Sequence, residues 1–331
     1  MKSTKFLSAS MTVCAVVLIA SLFLSVSRVI GFAGGSYPNS EEYSAGDAKI
    51  RETVKNLDIS WLNGTVRLAY HNGKEVILEE TSNRKISSEH QMRWWLDGDT
   101  LHIRYAKSGL RITREPEKDL TVTIPENAIL EDVHLSASSG TLMLPSVKAE
   151  QLELEVTSGS IYARASAKSM TLSSSSGSIE LLAEGEAEKI VANTSSGDIQ
   201  IDAEDAESVR LSATSGSIEA TVNRSDTFRA TSSSGSIHAV LGEAETAELE
   251  CTSGRIRVKT DTLNTLKVRS SSGDVSVSVP KKPGFTAKIA TSSGSIDNRL
   301  SLKKQGSDYI CGDGSGTLDI QTASGDIRIT G

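Results

Sequence analysis

The sequence predicts an all-β protein, a single-stranded parallel β-helix (β-solenoid) of about 19-residue coils preceded by one N-terminal transmembrane helix. Three observations carry this prediction. Ser-Gly, usually followed by Ser, Asp or Thr and then an aliphatic residue, recurs with Gly at 140, 159, 177, 197, 216, 235, 254, 273, 294, 316 and 325. Aliphatic residues stand at fixed offsets on both sides of each Gly. Aromatics make up only 4% of the 331 residues, beside 51 Ser and 26 Gly.

At the N-terminus, Lys2 and Lys5 precede an uncharged stretch from Phe6 to Ser27, and Arg28 follows it. A bilayer span needs about 20 residues, and the two lysines place the N-terminus inside. Residues 1–33 therefore read as an uncleaved signal anchor, with the rest of the chain extracellular at the cell membrane. Cleavage after Ala33, with Gly31 at the other small-residue position, is the alternative and would give a secreted protein. Cys14 follows Val13, where lipoprotein processing needs a small residue, so it does not read as a lipidation site. Residues 34–48 are rich in Gly, Ser, Pro, Asn and Glu with no apolar period, and read as a polar spacer.

Residues 49–139 read as divergent N-terminal coils and a cap. Leu57, Ile59, Gly64, Val66 and Leu68 fit the repeat template, with Asn63 in the place of Ser. The runs 75–79, 100–105 and 120–124 continue it less regularly. Trp61, Trp94 and Trp95 all fall here, where a first coil must cover its open core; a binding patch is the other use of such residues. Arg104, Lys107, Arg111, Arg114 and Lys118 form a basic cluster interleaved with Glu115, Glu117 and Asp119, which reads as mixed strand surface.

Residues 140–331 read as the regular repeats. Two after each Gly stand Leu142, Ile161, Ile179, Ile199, Ile218, Ile237, Ile256, Val275, Ile296, Leu318 and Ile327. Four after it the residues are aliphatic again, with Asn298 the polar exception. Five and seven before it lie Leu154 and Leu152, Leu172 and Met170, Leu211 and Val209, and their equivalents. Apolar residues two apart define strands with one buried face, whereas a helix would need them three and four apart. Each repeat thus carries two short strands joined at Ser-Gly. Glycine accepts positive φ at the corner, and the hydroxyl beside it bonds nearby backbone; a flat hydroxyl surface for binding sugar or ice is the other reading of the serine ladder. The predicted corner ladder is Ser158-Gly159, Ser176-Gly177, Ser196-Gly197, Ser215-Gly216, Ser234-Gly235, Ser253-Gly254, Ser272-Gly273 and Ser293-Gly294. The core ladder is Ile161, Ile179, Ile199, Ile218, Ile237, Ile256, Val275 and Ile296. The last interval, Gly316 to Gly325, is only nine residues, so the C-terminal coil is expected to leave strand edges unpaired and to mediate self-association or partner contact.

The repeated Ser-Ser-Gly-Ser-Ile units, the opening Leu57-Asp58-Ile59 with Asn63-Gly64-Thr65-Val66, and the strand Asp119-Leu120-Thr121-Val122-Thr123-Ile124-Pro125 resemble the bacterial "putative adhesin" domain family. The resemblance runs from Val54 to Gly331. It implies a β-solenoid cell-envelope protein behind a membrane segment and carries over no catalytic residues.

Composition and spacing narrow the chemistry. A formal charge of −7 disfavours nucleic acid, and three cysteines are too few for a disulfide scaffold. Asp198 and Asp274, each one after a corner Gly, are four coils apart by this count, near 19 Å and too far for paired acid–base work. Glu184, Glu186, Glu188, Glu204, Asp205 and Glu207 read as a solvated rim. The five histidines share no ligand spacing with Cys or acids, so no metal and no cofactor are expected. Cys251 and Cys311 read as small buried hydrophobes, about three coils from one another. The expected function is a structural, adhesion or envelope-interaction module without catalysis, its partners the membrane and a cell-wall polymer or envelope protein. A carbohydrate-active enzyme of the polysaccharide lyase or glycosidase type on a β-helix scaffold is the alternative. Ice binding would need regular outward Thr ladders, whereas the outward positions are mixed.

Overall fold

The computed structural model describes residues 36–109, 115–262, 264–280, 284–306 and 308–331. The predicted signal anchor, 1–33, lies outside the described residues, and among these no helix is long and apolar enough to cross a membrane. The described chain is built of strands and forms two compact units. One comprises residues up to Ala165 with Leu172–Gly177, the other Ser166–Thr171 with Ser178–Gly331.

The first unit contains β1 (Ser44–Ala45), β2 (Ala48–Ile50), β3 (Asn56–His71), β4 (Val76–Ser82), β5 (Arg93–Asp97), β6 (Thr100–Arg104), β7 (Lys118–Pro125), β8 (Leu130–Ser158) and most of β9 (Ile161–Ser176). β3 is the first complete coil. Its two arms pair in parallel with β8, and on the other side its first arm pairs with β6 and its second with β7. Beyond β6 and β7 the chain departs from the predicted parallel pattern. β5 runs antiparallel to β6 and β1 to β5, while β4 runs antiparallel to β7 and β2 to β4. These antiparallel ribbons cover the outer edges of β6 and β7, the liability of any open sheet.

The aromatics do the capping. Trp61 is fully buried and its Nε1 donates to the Lys118 carbonyl at 2.8 Å. Tyr37, Tyr43, Trp95 and His102 form a row of ring contacts with centroids 4.9, 5.6 and 5.3 Å apart, the first two tilted and the last stacked. Tyr37 is buried, and its hydroxyl donates to the Ala106 carbonyl at 3.1 Å. The segment read as a polar spacer is therefore docked from Tyr37 onward. Two tyrosines at irregular spacing anchor it, a signal that no period of two or 3.6 registers.

The second unit contains β10 (Ile179–Ser196), β11 (Ile199–Ser215), β12 (Ile218–Ser234), β13 (Ile237–Ser253), β14 (Ile256–Thr260), β15 (Thr265–Ser272), β16 (Val275–Ser278), β17 (Phe285–Ser293), β18 (Ile296–Asn298), β19 (Lys303–Gln305), β20 (Asp308–Cys311), β21 (Gly316–Ser324) and β22 (Ile327–Thr330). β10 through β13 stack in strict parallel register, Ile179 on Ile199, Ile218 and Ile237. One bulge, between Ala183 and Glu186, absorbs the extra residue of the 20-residue repeat. β14 and β15 continue on β13 as the two arms of the next coil.

Then the spatial order leaves the chain order. β21 lies between β15 and β17, pairing in parallel with both, and β22 lies between β16 and β18 in the same way. The C-terminal strands are thus paired on both sides, against expectation. The outermost coil is the one at Gly294. Gly316 is not a corner; the corner after Gly294 is Gly325. The physical reason is the set of inward residues. Leu318, Ile320, Ile327 and Ile329 on β21 and β22 are all 0% exposed, whereas the Gly294 coil carries polar Asn298 at an inward offset, exposed at the end of the stack. Segment 299–315, with the antiparallel hairpin β19–β20, carries the chain back, and β20 pairs antiparallel with Phe285–Ala287.

Candidate functional site

The corner runs through each unit as a row of glycines with φ between 109° at Gly64 and 156°. That backbone conformation is open to glycine and strained for any other residue. Space imposes the same choice. A Cβ on Gly216 would collide with the carbonyl of Gly197, and one on Gly159 with that of Gly140. Gly216→Ala is accordingly expected to destabilise the chain by ~3 kcal/mol, read from chemical denaturation; an unchanged midpoint would refute the packing argument.

The hydroxyl chemistry sits elsewhere than predicted. The corner serines Ser158, Ser176, Ser196, Ser215, Ser234, Ser253, Ser272 and Ser293 have exposed side chains. Their backbone carbonyls do the bonding, as when Gly216 N–H donates to Ser234 O at 2.9 Å and Gly235 N–H to Ser253 O at 3.1 Å. The side chain that braces the corner lies three residues before Gly and points inward. Ser232 Oγ donates to Gly216 O at 3.2 Å, and Thr291 Oγ1 to Gly325 O at 3.1 Å. Cys251 replaces the hydroxyl in its coil, with Sγ 3.2 Å from Gly235 O. The sequence signal was present in Ser174, Thr194, Ser232, Ser270, Thr291 and Thr322, all small hydroxyl residues at that offset.

The core ladder is buried at Ile161, Ile179, Ile199, Ile218, Ile237, Ile256 and Val275, each at most 1% exposed. Ile296 departs from it with 43% exposure, because among the described residues its coil has no further coil upon it.

The carboxylates after the corner tie adjacent coils together. Asp198 accepts from Ser217 N–H at 2.8 Å, and Asp274 from Asp326 N–H at 3.1 Å. Asp326 accepts from both the N–H and the hydroxyl of Ser295, each at 2.8 Å, and these bonds hold its carboxyl below the usual range. The displaced C-terminal strands place Asp274 and Asp326 in neighbouring coils, which the chain-order count did not foresee. Each is committed to the backbone of the next coil. Of the rim acids, Glu186, Glu188, Glu204 and Glu207 are exposed. Among the described residues no three His, Cys, Asp or Glu side chains converge as a metal-ligand set.

Of the basic cluster, Lys107 is exposed, Arg104 and Lys118 are buried, and Arg111 and Arg114 lie outside the described residues. Lys118 is 0% exposed. Its Nζ donates to Glu80 Oε1 and to the His90 carbonyl, both at 2.5 Å, and to the Tyr105 carbonyl, and it sits over the Trp61 and Tyr105 rings. Three acceptors match the three protons of the ammonium. Arg104 is also buried, with Nη2 2.5 Å from Asp58 Oδ2; His102 Nδ1 lies 2.7 Å from the same oxygen. Burial pushes the Asp58 carboxyl up, but the hydrogen bond from His102 and the charge and hydrogen bond of Arg104 outweigh it and hold the group far below its usual value. A depressed carboxyl stabilises the fold above the unfolded value of about 3.9, and that stability fades as pH falls below it. The Tm of the native chain is expected to drop from pH 7 to pH 3 more steeply than that of Asp58→Asn; parallel curves would show that Asp58 is not the titrating group.

Cys251 and Cys311 are both unpaired and buried, and burial pushes the Cys251 thiol up to about 11. In a Cys14→Ser chain both thiols are expected to resist a water-soluble thiol reagent until denaturant is added, because both are buried and Cys251 in addition holds its proton.

The architecture defines the class: an all-β repeat protein of stacked parallel coils with a glycine corner. The chain belongs to the Toastrack DUF4097 family, whose model matches residues 54–241 and 163–330. No curated protein matches its sequence. Among solved structures it is similar to a "putative adhesin" from Parabacteroides merdae ATCC 43184, at 14% identity over 71% of this chain and 96% of that one, with a TM-score of 0.36. A "putative adhesin" from Bacteroides fragilis NCTC 9343 matches at 9% identity over 86% and 97%, TM-score 0.28. A "putative cell adhesion protein" from Clostridium sporogenes ATCC 15579 matches at 11% over 87% and 99%, TM-score 0.18.

Proposed function

We propose that the chain is a non-catalytic adhesion or structural module of the cell envelope, held at the membrane by residues 1–33 with its coils outside. The observation that carries this reading is the repetition of the outward side chains. In the second unit Ser196, Ser215, Ser234, Ser253, Ser272, Ser324 and Ser293 follow one another in register, exposed and one coil apart. Coils are spaced by about 4.8 Å, so the row is a hydroxyl strip of fixed pitch, suited to a ligand that itself repeats. The charged side chains beside the strip give it solubility and a polar rim. The serine side chains are not needed for the corner, which leaves them available for contact.

The test is a pull-down with the full-length chain against purified cell-wall polymers and solubilised envelope proteins. Enrichment of a polymer or protein, weakened when Ser215, Ser234 and Ser253 are replaced together by Glu, is the expected result. Cleavage of a glycan by the purified chain would overturn the reading.

A further inference from the structure

The end of the second unit is an open sheet edge. One coil inward, the N–H groups of Gly325 and Ile327 donate at 2.9 Å to the carbonyls of Ser293 and Ser295. The equivalent groups of Gly294 and Ile296 have no further coil to donate to among the described residues. Among the described residues β18 pairs only with β22, and on its outer side β17 meets β20 only at Phe285–Ala287. Ile296 is 43% exposed and Ile289 half-buried, where the same offsets in inner coils are closed. Backbone donors, an apolar row and strand geometry together call for another extended chain.

Charge selects which chain. Residues 178–252 carry 15 acidic and 4 basic side chains, whereas residues 253–331 carry 12 basic and 7 acidic. Lys288, Lys303 and Lys304 are exposed at or beside the open coil. Two copies meeting edge to edge would bring like charges together, which is unfavourable for strand pairing. We infer that the Gly294 coil docks an extended acidic peptide segment of a partner protein, which adds a strand to the edge. Its backbone carbonyls accept from Gly294 and Ile296, its apolar side chains cover Ile289 and Ile296, and its carboxylates face the three lysines. This inference rests on the reading of the chain as a binding module.

The probe is an acetylated, amidated octapeptide of alternating Glu and Val, with the Lys–Val peptide as its counterpart, titrated against the full-length chain by fluorescence anisotropy. The Glu peptide is expected to bind at least about tenfold more tightly than the Lys peptide, with an affinity that falls on adding salt. Ile296→Pro removes an outward N–H at the first position of its strand, where proline is tolerated. Lys303→Glu/Lys304→Glu reverses the nearby charge. Each is expected to weaken binding about tenfold with the thermal transition retained. Equal binding of the two peptides, or binding indifferent to Ile296→Pro, would overturn the inference. So would a wild-type dimer in light scattering that Ile296→Pro disperses. If envelope components are enriched in the pull-down but Ile296→Pro does not alter their capture, the site is wrong while the module reading stands.

Discussion

A chain ending at Ser315 is expected to lose its terminal stack, not merely a tail. β21 and β22 supply Leu318, Ile320, Ile327 and Ile329, four fully buried side chains, and they are the bed on which β17 and β18 lie. At about 1.5–3 kcal/mol for each buried aliphatic side chain, the truncation removes roughly 6–12 kcal/mol. Hydrogen exchange should show β15 to β18 losing protection while β10 to β13 keep theirs, because a repeat stack is stabilised mainly by nearest neighbours. Retained protection over 285–298 in the truncated chain would mean that β17 can seat directly on β15. It would then be the set of inward residues, not the strand order, that needed a new explanation.

Lys118→Met is expected to cost about 3–5 kcal/mol, the usual consequence of removing one partner from a buried ion pair. Glu80 would remain as a carboxylate with a side chain 4% exposed, still accepting from the Met92 N–H at 3.0 Å but without its cation. The double variant Lys118→Met/Glu80→Leu should recover part of the loss, since no charge is then left unpaired. The same comparison in urea separates this from loss of the alkyl stem: a double variant as unstable as the single one would assign the effect to packing between Trp61 and Tyr105.

The period-2 aliphatic residues and the glycine corner were legible because each repeat states them anew, and seven of eight predicted core positions are closed. The order of the last coils was not. Every coil offers the same corner and the same inward offsets, so the local pattern does not encode which coil is neighbour to which. Asn298 was the single residue that marked its coil as outermost. The corner serines were assigned the wrong atom. Period 2 alone would put the residue beside Gly on the same face as the one three before it, but the chain turns at the corner, so the first is exposed while the second stays inside. Lys118 was unreadable for a different reason. Lysine in a strand among glutamates has the composition of a surface, and only the convergence of Glu80, His90 and Tyr105 from three separate segments makes its burial tolerable.

The displaced strand also has a kinetic meaning. Inner coils can zip one upon the next, each closing a loop of 19 residues, as from Ile199 to Ile218. β21 must find β15 across 52 residues, from Leu266 to Leu318, before β17 has its outer place. The added loop entropy is only about 0.9 kcal/mol, so the native state hardly registers it. The search itself is non-local, and non-local pairings form slowly. The terminal coils are therefore the last part of the second unit to fold, and the Gly294 edge is completed only at the final step.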